Sequence, residues 1–358
     1  MKVYLASCDE TSRLANLLPS NEGRQILVDS LIEAFGLHEI CEVFDVEPAD
    51  EFELQKFHSN EFVEELLRER EIGGAATAQL DTSYGLSYDC PIFPELKGYV
   101  ERIAGSSICA AEKLLECKRN PQSERTAVIN WYGGRHHCLK EKAAGFCYVN
   151  DVVLAILKLR TRYRRIFYLD LDLHHGDGVE NAFRFSKNVT TCSIHRFDVG
   201  FFPGSGALSD TGTYNFPTKR GLSDASFRQI VENKIIPLLE QEQPEVLVIQ
   251  CGADGLASDP HGEWNLTIKG YTDALLTALN SVTSAHIMLL GGGGYNHRDT
   301  ARLWCYITGQ MANVSEEWTT IPSHPSLEHF HEDRFEFWTD DVCRAKPGRR
   351  DENSLDVH

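Results

Sequence analysis

The sequence predicts a single α/β domain with a mostly parallel central sheet and helices on both faces. Short apolar runs alternate with stretches whose apolar residues recur at helical spacing, a pattern typical of strands joined by crossover helices. The 358 residues, 42% of them hydrophobic, are enough for a sizeable core, and no internal repeat or low-complexity linker divides them. Length alone also permits two smaller domains. We expect one domain over residues 1–345 and a solvated, flexible tail over residues 346–358.

The first third of the chain predicts one strand and three helices. The strand is expected within residues 1–8, and apolar residues at helical spacing predict helices at 24–37, 53–70 and 97–118. Residues 44–52 are acidic and contain Pro48, which indicates a connection between elements. Residues 71–92 are rich in Gly, Ala and Thr without periodicity, so a long loop is predicted there.

Beyond this loop and the third helix, strands and helices alternate regularly. Apolar runs predict strands at 127–132, 166–171, 189–195, 246–251 and 286–290. Helical spacing predicts helices at 149–160, 224–240, 269–281 and 298–308. Near-continuous apolar runs are typical of parallel strands, because helices cover both faces of such a sheet.

The charge and cysteine content of the sequence indicate which classes of partner and which cellular environment to expect. The formal net charge of −18 argues against direct nucleic-acid binding and favours a basic peptide or polyamine. Eleven cysteines without a Cys-x-x-Cys pair indicate reduced thiols, so we expect an intracellular protein. No apolar run approaches the roughly 20 residues of a membrane helix, and the N-terminal apolar stretch is too short for a signal peptide. We therefore expect no membrane association.

The stretch 166–178 carries the strongest local signal for a binding site. Strand side chains repeat every two residues, so Asp170, Asp172 and His174 are expected on one face, with the intervening leucines on the other. Three polar groups on an apolar strand are unfavourable unless a partner satisfies them, and a divalent metal is the obvious candidate. In isolation, Asp172 and His174 could equally be a hydrogen-bonded pair at a strand end.

Four of the predicted strands end in chemically reactive residues. Ligands of open parallel sheets bind beyond the carboxyl ends of the strands. The four groups are His136 and His137; Asp172, His174, His175 and Asp177; Asp254; and Gly291–Gly294 with Tyr295. Singly, the histidine pair could be ordinary loop residues, Asp254 a helix N-cap, and the glycines a tight turn or a phosphate cradle. Together they predict one active site at this edge of the sheet.

Asp172, His174 and Asp254 would form an open set of three metal ligands with room for water. Mixed nitrogen and oxygen ligation suits zinc, and iron(II), cobalt and manganese are the alternatives. A bound metal activates water and polarises a carbonyl, and a neighbouring histidine can take and return the proton. Asp170 and Asp177 are available to fix the histidine tautomers. A tyrosine presented by the glycine turn could stabilise an oxyanion.

These motifs resemble those of the zinc-dependent histone deacetylases. The motifs are Gly133–His137, Gly145–Asp151, Asp170–Gly178 and Gly291–Asn296. Features that indicate class I are Tyr88–Pro91, Phe57 with His58, and Phe201–Gly204. The likeness extends from residue 3 to about residue 310, and the short chain is most similar to the histone deacetylase 8 branch and fungal class I relatives.

The resemblance implies an arginase-like α/β fold and defined catalytic roles. These are zinc ligation by Asp172, His174 and Asp254, general base and acid chemistry at His137 with Asp177, charge tuning at His136 with Asp170, and a hydrogen bond from Tyr295 to the acetyl oxygen. It further implies that Asp89 holds the peptide backbone and that Gly145, Phe146 and Phe202 line a narrow tunnel.

The resemblance also implies two monovalent cations, usually potassium, and an arginine beneath the active site, which Arg24 matches. One cation would lie at Asp170, Asp172, His174, Ser193 and Ile194. The sequence departs from the family at three places. His261 stands at the tunnel mouth where class I members commonly carry leucine or methionine, Arg135 is unusual before the histidine pair, and the segment around Thr211–Thr213 is short, which affects the second cation site.

The expected activity is zinc-dependent hydrolysis of acetyl-lysine in histones or other nuclear proteins, such as a cohesin subunit. Corepressor partners and a nuclear location, with the cytoplasm as a second location, follow from the resemblance alone. An acetylpolyamine or other small-amide hydrolase is the enzymatic alternative, which Asp89 disfavours because a small substrate needs no backbone contact. A corepressor scaffold without catalysis is the non-enzymatic alternative, disfavoured because every expected catalytic position is filled.

Overall fold

The computed structural model describes residues 1–69, 82–117, 125–314, 318–339 and 344–353, and its central element is an eight-stranded sheet. The strands are β1 (Lys2–Ala6), β2 (Glu42–Phe44), β3 (Thr126–Asn130), β4 (Ile166–Asp170), β5 (Val189–Arg196), β6 (Thr213–Thr218), β7 (Val246–Gln250) and β8 (His286–Leu290). Their order is β2-β1-β3-β8-β7-β4-β5-β6, and every pairing is parallel. The predicted fold class is confirmed.

Helices precede, follow and connect these strands. They are α1 (Asp9–Ala15), α2 (Arg24–Ala34), α3 (Leu37–Ile40), α4 (Glu51–Leu54), α5 (Asn60–Leu67), α6 (Leu96–Glu116), α7 (Asp151–Leu159), α8 (Asp177–Phe183), α9 (Asp224–Ile230), α10 (Ile236–Glu242), α11 (Ile268–Ser281) and α12 (His297–Met311). A π-helical turn, Val231–Ile235, joins α9 to α10, and short 3-10 helices lie at Thr82–Tyr84 and Leu327–Asp333.

Burial on both faces of the sheet explains the apolar runs. Every residue of β3, β4 and β7 is buried. Along β4, Phe167 and Leu169 belong to one hydrophobic core, while Ile166 and Tyr168 belong to the other. Because successive strand residues face opposite cores, both sets must be apolar, and the strand pattern loses its polar alternation.

The two edge strands were not predicted. Two of the three β2 residues are exposed, and β6 contains Pro217, which an edge strand tolerates because one of its sides has no strand partner. Neither segment is a continuous apolar run, so neither carries the signal that identified the central strands.

The helix predicted at 53–70 is two short helices, α4 and α5. Between them, His58 contacts a distant part of the chain: its Nε2 accepts a 3.1 Å hydrogen bond from the backbone N–H of Asn150, and its Nδ1 lies 3.2 Å from the carbonyl oxygen of Lys140. These tertiary bonds replace the helical path between the two segments. Residues 70–81, with the end of this prediction and half of the long-loop prediction, lie outside the described residues.

Part of the segment expected as a solvated tail is hydrogen-bonded to the domain. The Asp351 carboxylate accepts hydrogen bonds from the Ser223 backbone N–H at 3.0 Å and from the hydroxyls of Ser223 and Ser226 at 2.6 and 2.7 Å. Arg349 donates from Nη1 to the carbonyl oxygen of Trp264 at 2.6 Å. Residues 346–353 are therefore bonded to the domain, and the last five residues lie outside the described ones.

The described part of the chain contains no helix that is both long and apolar enough to span a membrane. The ten cysteines within the described ranges are all free thiols.

Candidate active site

Four adjacent strands bring the reactive residues together. At the carboxyl edge of the sheet, Asn130 of β3 lies opposite Leu290 of β8, Leu290 opposite Gln250 of β7, and Gln250 opposite Asp170 of β4. The residues that follow each of these four positions therefore leave the sheet side by side. These are the four strands whose ends the sequence analysis singled out.

The segment after β4 keeps the predicted alternation although the strand ends at Asp170. The backbone N–H of Leu171 still donates to the carbonyl oxygen of Gln250 at 3.0 Å. Leu169, Leu171 and Leu173 belong to one hydrophobic core. Asp172 and His174 therefore lie in an extended continuation beyond the sheet edge rather than in the strand itself.

Asp172, His174 and Asp254 form a buried cluster that could hold a metal ion. One ligand atom from each residue lies within 4.8 Å of the other two. Nδ1 of His174 is 3.0 Å from Oδ2 of Asp254 and 3.4 Å from Oδ1 of Asp172. Two oxygens and one imidazole nitrogen are a donor set that suits zinc and other divalent first-row metals.

The remaining carboxylate oxygens are held by other parts of the chain. Oδ2 of Asp172 accepts from Nε2 of Gln250 at 2.7 Å and from the Gly293 backbone N–H at 2.9 Å. Oδ1 of Asp254 accepts from the Leu173 backbone N–H at 3.0 Å. In each carboxylate, one oxygen is held by these hydrogen bonds and the other faces His174. Hydrogen-bond partners of this kind commonly orient metal ligands. Gln250 was not predicted as a site residue, although a glutamine that ends an apolar strand is a visible signal.

Buried negative charge dominates the electrostatics of the cluster. Burial and the neighbouring Asp172 raise the pKa of Asp254 to about 6. Although burial opposes it, Asp172 and Asp254 raise the pKa of His174 to about 10. The cluster therefore attracts positive charge strongly, and a divalent cation would supply that charge. The residues present fit a metal site.

His136 is bonded to the carboxylate that ends β4. Its Nδ1 donates to Oδ2 of Asp170 at 2.8 Å, and the same oxygen accepts from the Tyr168 hydroxyl at 2.6 Å. Burial lowers the His136 pKa, but Asp170 and Asp172 outweigh it and raise the value to about 9. Asp170 thereby fixes the orientation of His136 and favours its protonated form.

His137 has the opposite electrostatic environment. Its Nδ1 donates to Oδ1 of Asp177 at 2.7 Å, and its ring centroid lies 3.9 Å from that of His136. Burial and the neighbouring His136 lower the pKa of His137 to about 4. At neutral pH His137 is therefore neutral, with Nε2 free of the Asp177 bond and able to accept a proton.

The loop that carries both histidines is fixed by Asp151, whose role the sequence analysis missed. Oδ1 of Asp151 accepts from the Arg135 backbone N–H at 2.7 Å, and Oδ2 accepts from the Gly134 N–H at 2.9 Å and the Ser107 hydroxyl at 2.5 Å. Asp151 begins α7, where an acidic residue is common, so the sequence alone suggests only a helix start.

Tyr295 follows the glycine turn after β8 and is positioned through its backbone. Its N–H donates to Oδ2 of Asp259 at 2.8 Å. Burial and the carboxylates of Asp254 and Asp172 hold the Tyr295 pKa well above its ordinary value. The hydroxyl therefore stays protonated and can donate a hydrogen bond to an oxygen that gains negative charge.

Aromatic residues surround the histidines and Tyr295. The Phe202 ring centroid lies 4.9 Å from that of His137, and the Phe146 ring lies 5.7 Å from Tyr295. Gly145 has φ of +53°, and a Cβ there would come within 2.4 Å of the His137 ring and 3.0 Å of Phe202. Only glycine fits between these two rings, which brings the predicted tunnel residues close together.

Asp89 and His261 lie further out. Oδ2 of Asp89, an exposed residue, accepts from the Gly145 backbone N–H at 2.6 Å. Nδ1 of His261 is held by Oδ1 of Asp259 at 2.9 Å, and its ring lies 4.7 Å from Tyr295 and 5.2 Å from His174. Both positions are compatible with the predicted rim.

The predicted monovalent-cation residues lie behind the metal-site cluster. Ser193 of β5 is the register partner of Asp170, and Ile194 follows it, fully buried. The Ser193 hydroxyl lies 2.9 Å from Nδ1 of His195. The cation itself, and the second site near Thr211–Thr213, remain predictions.

Arg24 lies beneath the glycine turn that presents Tyr295. Its Nη1 donates to the carbonyl oxygens of Gly292 and Gly294 at 3.0 and 2.9 Å, and its guanidinium packs over Trp304. Burial and the nearby Arg135 lower the Arg24 pKa to about 9. The position beneath the active site agrees with the expectation.

Comparison with known proteins identifies the family. Residues 18–311 match the model of the histone deacetylase domain. Histone deacetylase 8 of Xenopus tropicalis is 36% identical over 99% of this chain and 95% of its own, and that of Danio rerio is 37% identical over 92% and 85%. Histone deacetylase HOS1 of Saccharomyces cerevisiae is 39% identical over 76% of this chain and 63% of its own. The chain belongs to the histone deacetylase family, as its motifs predicted.

Proposed function

We propose that this member of the histone deacetylase family is a zinc-dependent protein-lysine deacetylase. One observation carries the proposal: the metal-ligand atoms of Asp172, His174 and Asp254 converge within 4.8 Å of one another beside His137, whose ring lies 6.0 Å from that of His174. A divalent metal, which we take to be zinc with iron(II) or cobalt as alternatives, would polarise the acetyl carbonyl and make water more acidic.

His137 is the proposed general base and acid. Its neutral imidazole takes a proton from the attacking water through Nε2, since Nδ1 is engaged with Asp177 at 2.7 Å. The resulting imidazolium is stabilised by the Asp177 carboxylate and then protonates the departing lysine amine. His136, held by Asp170, supplies positive charge beside the reacting atoms.

Tyr295 is the proposed oxyanion donor. Its protonated hydroxyl would donate to the acetyl oxygen as that oxygen gains negative charge, and a preorganised donor of this kind lowers the barrier selectively for the transition state. The backbone bond to Asp259 and the packing against Phe146 limit the freedom of the tyrosine before substrate arrives.

The proposed substrate is N6-acetyl-lysine in a protein chain. Gly145, Phe146 and Phe202 would surround the aliphatic stem of the lysine, and Asp89 at the rim would accept hydrogen bonds from the peptide backbone. The net charge of −18 favours basic flanking sequences such as those of histones. We include other nuclear proteins, such as a cohesin subunit, as substrates, corepressor proteins as partners, and the nucleus, with the cytoplasm, as the location.

The test is metal analysis of the purified protein combined with deacetylation of an acetylated peptide library. We expect a bound divalent metal and, from a subset of peptides, release of acetate that leaves an unmodified lysine side chain in the peptide. Asp254→Ala should lose both, whereas Asp224→Ala, which removes a half-buried carboxylate at the start of α9, should retain the metal. Metal-loaded protein that deacetylates no acyl-lysine peptide would support the scaffold alternative.

Substrate size can be tested in the same assay. A peptide deacetylase should prefer acetyl-lysine peptides to acetylated polyamines in kcat/KM, and replacing Asp89 by Asn should reduce the peptide rate more than the polyamine rate. The reverse preference would favour the small-amide hydrolase.

A further inference from the structure

Arg135 is a buried cation that the proposed catalytic steps do not use. The residue precedes the two active-site histidines and is only 5% exposed. Its backbone N–H is bonded to Asp151, but its side-chain Nε is buried without a hydrogen-bond partner among the described residues. Buried guanidinium groups are ordinarily paired with an anion or fully hydrogen-bonded, because desolvation of the charge is costly.

Burial acts to lower the pKa of Arg135, but neighbouring groups, Asp151 among them, outweigh it and raise the value, so the buried side chain keeps its positive charge. Asp151 acts on it electrostatically, but both Asp151 oxygens already accept bonds, from the Arg135 and Gly134 backbone and the Ser107 hydroxyl. Arg24 is a second buried arginine close enough to interact with Arg135. Two guanidinium groups near each other in the interior attract an anion.

The surroundings of Arg135 border the reacting centre. The groups that act on it electrostatically include Tyr295, the proposed oxyanion donor, and Tyr99, a fully buried residue of α6. The Tyr99 hydroxyl also lacks a hydrogen-bond partner in the described ranges. The Arg135 Nε and the Tyr99 hydroxyl are thus two buried donors without a hydrogen-bond partner among the described residues, and Arg135 interacts electrostatically with Tyr295.

We propose that Arg135, assisted by Tyr99, binds the terminal carboxylate of a dicarboxylic acyl group, such as succinyl or glutaryl, on the substrate lysine. A guanidinium recognises a carboxylate through charge-assisted hydrogen bonds, and these are stronger where water is excluded. Arg135 is therefore a specificity residue for the acyl group, whereas the rim residues act on the peptide.

This inference rests on the proposed amide hydrolysis, in which the same bonds form and break for a dicarboxylic acyl group as for acetyl. Water adds its oxygen to the acyl carbonyl carbon, the carbon–nitrogen bond breaks, and the lysine amine leaves with a proton. The products are the unmodified lysine and a dicarboxylate instead of acetate, and no further reactant is needed.

The experiment compares kcat/KM of the wild-type protein on one peptide carrying acetyl-, malonyl-, succinyl-, glutaryl- or succinamoyl-lysine. Succinamoyl is the neutral isostere of succinyl, so the pair isolates the charge. We expect at least one dicarboxylic acyl group to exceed succinamoyl by about tenfold or more, as a charge-assisted hydrogen bond in a buried site predicts. A preference for the neutral amide would overturn the proposal.

Variants separate Arg135 from general effects. Arg135→Met should abolish the dicarboxylate preference, and Arg135→Lys should retain part of it. Arg125→Met is the matched control, because Arg125 is bonded to the carbonyl oxygens of Ala285 and Leu279 near the opposite end of β3 and β8. It should leave the ratio of succinyl to succinamoyl turnover as in the wild type. If Arg135→Met lost no preference, Arg135 would not be the carboxylate ligand.

Three further outcomes are distinguishable. If acetyl-lysine is hydrolysed but no dicarboxylic acyl group is favoured, the acyl inference fails while the proposed function stands. If free acetate inhibits the wild type but not Arg135→Met, and dicarboxylic acyl groups are not favoured, the anion bound by Arg135 is the released product and the inference is likewise overturned. Absence of turnover on every acyl peptide would instead contradict the proposed function itself.

Discussion

The backbone N–H of Tyr295 donates a 2.8 Å hydrogen bond to Oδ2 of Asp259. Oδ1 of the same carboxylate holds Nδ1 of His261 at 2.9 Å. One buried aspartate, which the sequence analysis did not single out, therefore anchors both the proposed oxyanion donor and the unusual histidine of the tunnel mouth. Consequences of changing the two anchored residues differ, because only Tyr295 is proposed to contact the reacting atoms.

Tyr295→Phe should reduce kcat on acetyl-lysine peptides about 10²-fold or more, because loss of one oxyanion donor costs this much in comparable sites. The metal content should not change, since Tyr295 is outside the ligand cluster. Tyr306→Phe removes a half-buried hydroxyl from α12 and serves as the control. If Tyr295→Phe turned over substrate as fast as the control, the proposed oxyanion role of Tyr295 would be wrong.

His261→Leu should change the affinity for active-site inhibitors more than turnover of small substrates. The ring lies at 4.7 Å from Tyr295, where an inhibitor's linker would pass, and leucine replaces a polar contact by an apolar one. Inhibition constants for a panel of polar and apolar linkers measure the effect, with His38→Leu on the exposed surface as control. Loss of all activity would show that His261 is more than a rim residue.

The pH profile of kcat/KM should report the lowered pKa of His137. The imidazole is neutral and competent as a base above its pKa of about 4, and it loses this capacity as pH falls through that value. We therefore expect the acid limb to lie below the ordinary histidine pKa of 6.5, with metal content checked at each pH. An acid limb at or above 6.5 with the metal retained would contradict the assignment.

Asp177→Asn should reduce turnover roughly 10²-fold or more, because general acid–base catalysis by a positioned histidine contributes about this much. The substitution removes the negative charge that opposes the fall in the His137 pKa, so the imidazolium formed during the reaction loses its stabilisation. Its control is Asp210→Asn on the exposed loop before β6. A rate for Asp177→Asn within a factor of two of wild type would exclude this role.

Asp351→Ala should lower the free energy of unfolding by about 1–2 kcal/mol, because three donors near the start of α9 lose their acceptor. Burial acts to raise the pKa of Asp351, but hydrogen bonds from Ser223 and Ser226 outweigh it and lower the value. The stabilisation is therefore present above the unfolded-state pKa of aspartate and is lost as pH falls through the lowered folded-state value. Denaturant titrations near neutral and at acidic pH measure this.

The matched substitution for that experiment is Asp45→Ala, at an exposed position after β2. It should cost less than Asp351→Ala near neutral pH. Equal effects of the two substitutions would mean that the C-terminal segment contributes nothing through Asp351.

Local sequence patterns were sufficient to predict the central strands and the types of residue at their ends. The apolar runs of β3, β4, β7 and β8 were predictable because each is buried on both faces. The edge strands were not predictable because they depend on pairing with a neighbouring strand. The break at His58 was not predictable because it depends on a contact with a residue far away in the chain. Periodicity reports the burial of a segment but not the identity of its neighbours.

The sequence by itself determined that aspartates, histidines and a tyrosine follow the central strands and therefore gather at one edge. Only the tertiary structure decided which atoms meet. Gln250 and Gly293 orient Asp172, Asp259 anchors Tyr295, and the Nε atom of Arg135 has no hydrogen-bond partner among the described residues. The physical reason is that a hydrogen bond depends on distance and direction between groups, and these follow from strand order and register rather than from local composition.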